Sequence, residues 1–123
     1  MNMKVYYVVL YVKDGEASLK FWTEKAGMVA KDTKEAGGYK IHKVGFADQD
    51  FAFELVPLDL MKNNPDNLNL GTPSICFAAS DLPEFRNKLI KNGVQTTEIA
   101  DHFGFESFAF SDNDGSWFAA MKQ

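Results

Sequence analysis

The stretch YVVLYVKDGEASLKFWTEKAGMVA, residues 7–30, joins an apolar run to a helical segment and then to a second short apolar run. The same order returns in SICFAASDLPEFRNKLIKNGVQT, residues 74–96. In each copy the apolar strand ends at an aspartate, Asp14 or Asp81, whose short side chain can accept hydrogen bonds from the first turn of a helix. The chain therefore contains an internal repeat that opens with a strand and an aspartate-capped helix.

Glycines mark the ends of the two predicted helices. Gly27 and Gly93 suit the left-handed conformation that often terminates a helix. Phe21 and Trp22 are the large apolar residues of the first helix, so we expect them to anchor it on a core. A short strand is predicted after each glycine.

Two further apolar strands complete each half. In the first half they are residues 39–46 and 51–57, and in the second half 103–111 and 116–122. Residues 58–72 are polar, rich in asparagine and contain proline, which is typical of a linker.

These patterns predict an α+β fold. We expect a single domain, residues 1–123, made of two βαβββ modules in tandem, residues 1–57 and 73–123, with the linker 58–72 between them. One helix would cover one face of each sheet, and the two remaining faces would form a shared cleft.

Composition and charge argue against several classes of protein. The chain has 123 residues, is 46% hydrophobic and 24% charged, and carries a net charge of −4. A negative charge argues against nucleic acid as a partner. The single cysteine excludes an internal disulfide and favours the cytoplasm. The apolar N-terminal run is too short to cross a bilayer, so we expect no membrane association.

The segments LYVKDGEASLKFW, residues 10–22, and FSDNDGSWF, residues 110–118, resemble motifs of the vicinal oxygen chelate superfamily, which includes glyoxalase I, extradiol dioxygenases and bleomycin resistance proteins. The second segment resembles a D-P-D-G-N turn, with Asn113 in place of proline and Ser116 in place of asparagine. The resemblance implies the tandem fold over nearly the whole chain.

Many enzymes of that superfamily bind a divalent metal through one side chain from each of four equivalent strand positions. The resemblance places Tyr7, Glu54, Ser74 and Ala119 at these positions, and only Glu54 is a usual ligand. It therefore implies no metal, no cofactor and no catalytic residue. It favours a binding protein of the metal-free bleomycin resistance kind over an enzyme.

Strand alternation predicts which side chains face the cleft. Their broad apolar surfaces and single carboxylate would suit a cationic or aromatic small molecule. The predicted ligand-binding residues are Tyr7, Val9, Tyr11, Glu54, Ser74, Cys76, Trp117, Ala119 and Met121.

Glu54 is the one acid in FAFELVP, residues 51–57, a run in which we expect Phe51 to lie within a buried strand. An unpaired buried carboxylate would cost several kcal/mol, so it should be neutral, paired or facing a wet cleft. Ligand contact, a structural role beside a lysine, and metal binding or catalysis stay open. Cys76 is interpreted as a small buried hydrophobe, and His42 and His102 as surface or turn residues.

Three functions are compatible with the sequence. The first is a metal-free small-molecule binding protein that sequesters an antibiotic or a metabolite, and we expect it to be a homodimer. The second is a metal-dependent lyase, isomerase or dioxygenase with an atypical ligand set that recruits His42, His102 or Glu106. The third is an interaction or regulatory module that uses the fold without a ligand.

Overall fold

The computed structural model describes residues 2–123. The chain forms two compact units, the first (unit 1) running to Thr72 and the second (unit 2) comprising Pro73–Gln123. This boundary coincides with the predicted start of the second module. The predicted cleft between the modules stays a prediction.

Unit 1 contains the strand, helix and three strands expected of the first module. Its four-stranded sheet has the order β1-β4-β3-β2, with β1 and β4 parallel and the other pairs antiparallel. The elements are β1 Val8–Val12, α1 Gly15–Lys20, a π-helical turn Phe21–Lys25, β2 Val29–Ala36, β3 Tyr39–Gly45, β4 Phe53–Pro57 and a short 3₁₀ helix Leu58–Met61.

Unit 2 repeats this plan. Its sheet has the order β5-β8-β7-β6, again with the outer pair β5 and β8 parallel. The elements are β5 Cys76–Ala79, α2 Leu82–Lys91, β6 Ala100–His102, β7 Phe105–Ser111 and β8 Trp117–Lys122. The tandem βαβββ α+β fold is thus confirmed.

The capping residues act as their types predict. The N–H groups of Glu16 and Ala17 donate to Asp14 Oδ1 at 3.0 and 3.1 Å, and the N–H of Glu84 donates to Asp81 Oδ1 at 3.1 Å. Both helix-ending glycines are left-handed, with φ of 87° at position 27 and 81° at position 93. The capping aspartates and the left-handed glycines therefore predicted where each helical segment begins and ends.

Each sheet packs one face against its own helix. In unit 1, the rings of Trp22 and Phe53 are 5.1 Å apart, edge to face. In unit 2, Phe85 of α2 contacts Phe108 and Phe110 at ring distances of 5.9 and 6.0 Å. Burial of these rings contributes to the hydrophobic stabilisation of each unit.

The sheet registers make the repeat explicit. In unit 1, Val9 of β1 lies beside Glu54 of β4. In unit 2, Cys76 of β5 lies beside Ala119 of β8. Glu54 and Ala119 therefore occupy equivalent positions, in agreement with the matching made from sequence.

Two strand predictions need correction, and the predicted linker contains a helical turn. Phe51 is exposed and precedes β4, so it is not part of the buried strand. The predicted strand 103–111 begins at Phe105, because Phe103 and Gly104 form a tight turn with φ of 56° and 86°. The predicted linker begins with the 3₁₀ helix Leu58–Met61, where Asp59 accepts a hydrogen bond from the Tyr39 hydroxyl at 3.1 Å.

The described residues, 2–123, include no helix long and apolar enough to span a membrane.

Candidate functional site

Glu54 lies on the face of the unit 1 sheet that points away from α1. Its strand neighbours on that face are Val9 of β1 and Lys43 of β3. The side chain is only 8% exposed, and Lys34 Nζ lies 3.5 Å from Glu54 Oε2. The carboxylate is thus paired, which is one of the outcomes that its apolar surroundings require.

Lys34 reaches Glu54 from the edge of the sheet. It belongs to β2, where it lies opposite Ile41 of β3, so its side chain must cross β3 to meet β4. Because adjacent strands are about 4.8 Å apart, β2 and β4 lie roughly 10 Å apart across the sheet. The lysine stem therefore covers part of this sheet face.

Lys43 is the second cation on the same face. Its ammonium lies 4.4 Å from the ring centroid of Tyr7 and 4.8 Å from that of Tyr6. The side chain of Lys43 is half-buried, as is Tyr7, whereas Tyr6 is exposed. These distances are those of cation–π contacts, which hold the ammonium over the rings.

The face of the unit 1 sheet around Glu54 (the Glu54 face) thus combines aromatic, aliphatic and charged groups. Tyr7, Val9 and Tyr11 are half-buried, while Ile41 and Val56 are buried. All four residues predicted from unit 1 lie together here. Asp32 of β2 lies opposite Lys43 on the same face, so the face carries two acidic and two basic residues. The Glu54 face comprises Tyr7, Val9, Tyr11, Asp32, Ile41, Lys43, Glu54 and Val56, with Lys34 crossing it.

The equivalent face of unit 2 (the Ala119 face) has different chemistry. Cys76, Ala119 and Ala109 form one row across β5, β8 and β7. Met121 and the 46% exposed Trp117 flank this row on β8. The predicted residues of unit 2 that lie on this face are Cys76, Trp117, Ala119 and Met121, and the exposed Ser74 precedes β5 by two residues.

The interpretation of Cys76 as a buried hydrophobe is wrong, because this side chain is exposed. It lies on β5, an edge strand, and on the side of the sheet opposite the Phe77 ring, which contacts Phe110. Strand alternation reveals a side, but it does not reveal what covers that side.

The interpretation of His42 as a surface or turn residue is also wrong. His42 is 4% exposed and lies on the helix-facing side of β3, opposite Leu55. Its Nε2 lies 2.7 Å from Glu16 Oε1, and its Nδ1 lies 2.9 Å from Thr33 Oγ1. The imidazole thus joins α1, β2 and β3, on the opposite side of the sheet from Glu54.

These positions test whether the family's metal would fit. Glu54 is paired with Lys34, Ala119 has no donor atom, and His42 points to the wrong side of its sheet. In unit 2, His102 Nδ1 lies 2.7 Å from Ser107 Oγ, and Glu106 alternates to the helix-facing side of β7. Within residues 2–123, no three His, Cys, Asp or Glu side chains gather as a metal would require. The donor set does not fit a divalent metal.

Unit 1 also has a shallow pocket of about 290 Å³ near the start of α1. None of the residues predicted to bind ligand lines it. Lys13, Asp14, Glu16, Tyr39 and Lys40 are among its walls, so its charges largely cancel.

Sequence reasoning missed the two lysines of the Glu54 face. It allowed for a lysine beside Glu54 without identifying it. The position of Lys43 could have been predicted, because the strands 39–46 and 51–57 form a hairpin in which it lies opposite Glu54. The position of Lys34 could not have been predicted, because β2 contains a bulge between Ala30 and Asp32 that changes which residues share a face.

Comparison with known proteins agrees with this architecture. Residues 4–120 match the sequence model of the family described as the glyoxalase/bleomycin resistance protein/dioxygenase superfamily. The protein YurT of Bacillus subtilis (strain 168) is 26% identical over 116 residues, which cover 90% of this chain and 91% of that protein.

Solved structures show the same fold at lower identity. TnmS3, an antibiotic binding protein from Streptomyces sp. CB03234, matches with a TM-score of 0.81 and 17% identity, covering 98% of this chain and 96% of that chain. A superfamily member from Sphaerobacter thermophilus matches with a TM-score of 0.81 and 19% identity, covering 99% and 98%. At such identities the likeness concerns the fold alone.

Proposed function

The chain belongs to the glyoxalase/bleomycin resistance protein/dioxygenase superfamily, and on that basis we propose that it binds a small organic molecule on the Glu54 face without a metal. One observation carries the proposal. The only acid at the family's four metal positions already has a cationic partner, Lys34, on a face with two half-buried tyrosines.

The aromatic part of the surface supports an organic ligand. Tyr7 and Tyr11 offer flat faces, and Val9 lies between them along β1. Binding sites for small molecules are mostly apolar, with a few polar groups that fix orientation. Lys34, Lys43 and Glu54 supply such groups, so the face suits a flat molecule with polar substituents.

The physiological role that we propose is sequestration of an antibiotic or a metabolite. TnmS3 is described as an antibiotic binding protein, and it has the same fold. We extend the same kind of activity to this chain. We further propose that it acts as a homodimer in the cytoplasm, where its single cysteine would stay reduced.

A thermal-shift screen tests this proposal. Chelator-treated protein is screened against aromatic antibiotics and aromatic metabolites, and a bound ligand raises the unfolding temperature by mass action. We expect hits that are lost or weakened about tenfold in Tyr11→Ala, because the ring supplies contact area. Phe103→Ala is the matched control, since Phe103 is fully exposed on the β6–β7 turn of the other unit.

Two results would contradict the proposal. Hits that depend equally on Tyr11 and Phe103 would show binding elsewhere on the surface. Hits that appear only after Zn²⁺, Ni²⁺, Mn²⁺ or Fe²⁺ is restored would move the metal-dependent alternative to first place.

A further inference from the structure

The shallow pocket of unit 1, of about 290 Å³, lies at the end of the sheet where β1 and β4 finish and β3 begins. We propose that this pocket is a second binding site, for a free α-amino acid with an apolar side chain. None of the residues of the Glu54 face lines the pocket, so the inference goes beyond the proposed function.

The wall of the pocket carries charges of both signs. Lys13 and Lys40 supply ammonium groups, and Asp14 and Glu16 supply carboxylates. A ligand with a single charge would be attracted by one pair and repelled by the other. The head of an amino acid carries an ammonium and a carboxylate, so both pairs attract it.

Two further carboxylates lie close to the wall without lining it. Glu35 is opposite Lys40 in the β2–β3 ladder, and Asp59 accepts a hydrogen bond from the Tyr39 hydroxyl. None of the ion pairs among residues 2–123 includes Lys40. The neighbouring acids therefore leave its ammonium available to a ligand carboxylate.

The carboxylates of the wall are held in place before a ligand binds. Asp14 Oδ1 accepts hydrogen bonds from the N–H groups of Glu16 and Ala17. Glu16 Oε1 lies 2.7 Å from Nε2 of the buried His42, whose Nδ1 lies 2.9 Å from Thr33 Oγ1. Glu16 Oε2 is left to accept from a ligand ammonium. His42 is thus a positioning residue, and the fixed carboxylate loses little freedom on binding.

The apolar part of the wall suits the side chain of an amino acid. Tyr39 is 38% exposed, and its hydroxyl donates to Asp59 Oδ2 at 3.1 Å, which restricts the direction of the ring. Pro57 adds a second rigid ring. Such surfaces offer contact area at a low entropic cost. The volume is at the lower limit for ligand sites, which favours a molecule as small as a free amino acid.

Three related compounds test whether both charges of the ligand are needed. L-Phenylalanine carries both, L-phenylalaninamide keeps the ammonium alone, and N-acetyl-L-phenylalanine keeps the carboxylate alone. Each is titrated into the full chain at about pH 6, below the pKa of an α-amino group, while NMR follows the backbone amides. We expect saturable shifts with L-phenylalanine, centred on residues 13–16 and 39–40, and roughly millimolar affinity because the pocket is shallow. The other two compounds should bind at least about threefold more weakly.

Variants test which protein charge meets which ligand charge. Glu16→Gln should weaken L-phenylalanine about threefold and leave N-acetyl-L-phenylalanine unchanged, because the latter has no ammonium. The double variant Lys13→Met/Lys40→Met should weaken L-phenylalanine and leave L-phenylalaninamide unchanged. The matched controls are Glu24→Gln, at the far end of the same helical segment, and Lys88→Met, on α2 of the other unit. Both are exposed and should leave every affinity unchanged.

Three results would overturn the inference. Equal affinities for the three compounds would show that the charges are not recognised. Equal weakening of L-phenylalanine and N-acetyl-L-phenylalanine in Glu16→Gln would show that Glu16 does not meet the ammonium. Loss of L-phenylalanine binding in Tyr11→Ala would place the amino acid on the Glu54 face, which supports the proposed function and overturns the second site. Circular dichroism and the unfolding temperature confirm that each variant is folded.

Discussion

The sheets of the two units have the same strand order and equivalent pairing, yet their faces away from the helix differ in chemistry. Lys43 and Glu54 lie side by side in unit 1, and Ala109 and Ala119 lie side by side at the same register in unit 2. One face is charged and aromatic, and the other is built mainly of small residues. The duplicated backbone therefore does not require duplicated chemistry.

The helix-facing sides of the two sheets, in contrast, are alike. Phe53 and Leu55 of unit 1 are fully buried toward α1, and Phe110 and Ala120 of unit 2 are fully buried toward α2. Both units keep apolar residues where helix and sheet meet, because that contact stabilises each module. The faces away from the helices differ between the two units, so we expect substitutions of their exposed residues to change binding more than stability.

The largest expected effect tests this division within unit 2. Phe110→Ala should lower the free energy of unfolding by about 3–5 kcal/mol, because the buried ring stacks on Phe118 at 5.9 Å and no water would fill the cavity well. Trp117→Ala, on the other side of the same sheet, should cost less than about 1 kcal/mol. Urea unfolding measures the free energy of unfolding of both variants. Equal losses of this free energy would contradict the expected difference between the two sides of the sheet.

The two histidines give the next largest contrast. His42→Ala should cost about 2–3 kcal/mol, because it empties a buried site and removes the bonds to Glu16 and Thr33. His102→Ala should change stability by less than about 0.5 kcal/mol, since His102 is exposed. Chemical unfolding at fixed pH measures both, and a loss for His102→Ala as large as that for His42→Ala would contradict the assigned environments.

A smaller effect is expected at the turn between β7 and β8. Asp112 Oδ1 accepts hydrogen bonds from the N–H groups of Asp114 and Ser116, both at 2.9 Å. Asp112→Ala should cost about 1–2 kcal/mol. Asp112→Asn keeps an acceptor oxygen and should cost less. Unfolding curves that rank the two variants in the reverse order would contradict this role.

The same residue predicts a pH dependence. Partial burial raises the pKa of the Asp112 carboxyl above its ordinary 3.8, although its backbone hydrogen bonds lower it. The unfolded chain therefore releases this proton more readily, and the contribution of Asp112 to stability falls as pH rises from 3.8 through the raised pKa. The stability of Asp112→Asn relative to the wild type should increase across that interval. Urea titrations from about pH 4 to pH 6 test the sign.

The smallest expected effect concerns the ion pair on the Glu54 face. A double-mutant cycle of Lys34→Gln and Glu54→Gln should give a coupling of about 0.5 kcal/mol, because the lysine is 55% exposed and solvent screens the pair. A coupling above about 2 kcal/mol would mean that the pair holds the fold. The face would then be structural in the way that the helix-facing sides are.

Local signals made much of the fold predictable. The aspartate caps, the left-handed glycines and the apolar runs each depend on residues close in sequence, and they repeat. The matching of Glu54 with Ala119 followed from this repetition. The limits of the strands were less predictable, since the β6–β7 turn pairs Gly104 with a second left-handed residue, Phe103, whose type favours a strand.

The candidate site was predictable only in part. Alternation along β1 and β4 grouped Tyr7, Tyr11 and Glu54 correctly on one face. Lys34 was not predicted because it reaches across β3 from a bulged edge strand, and the environment of His42 was not predicted because its partner Glu16 is far away in sequence. Charge pairing in a sheet depends on lateral register, and this depends on turns and bulges rather than on composition.

The most direct test of the central claim is a fluorescence titration of N-phenyl-1-naphthylamine into chelator-treated protein, repeated after addition of Zn²⁺, Ni²⁺, Mn²⁺ or Fe²⁺ with elemental analysis of each sample. Our account predicts the same affinity in every sample, dependence on Tyr11, and far less than one metal ion per chain. Binding that requires a metal, at about one ion per chain, would contradict it.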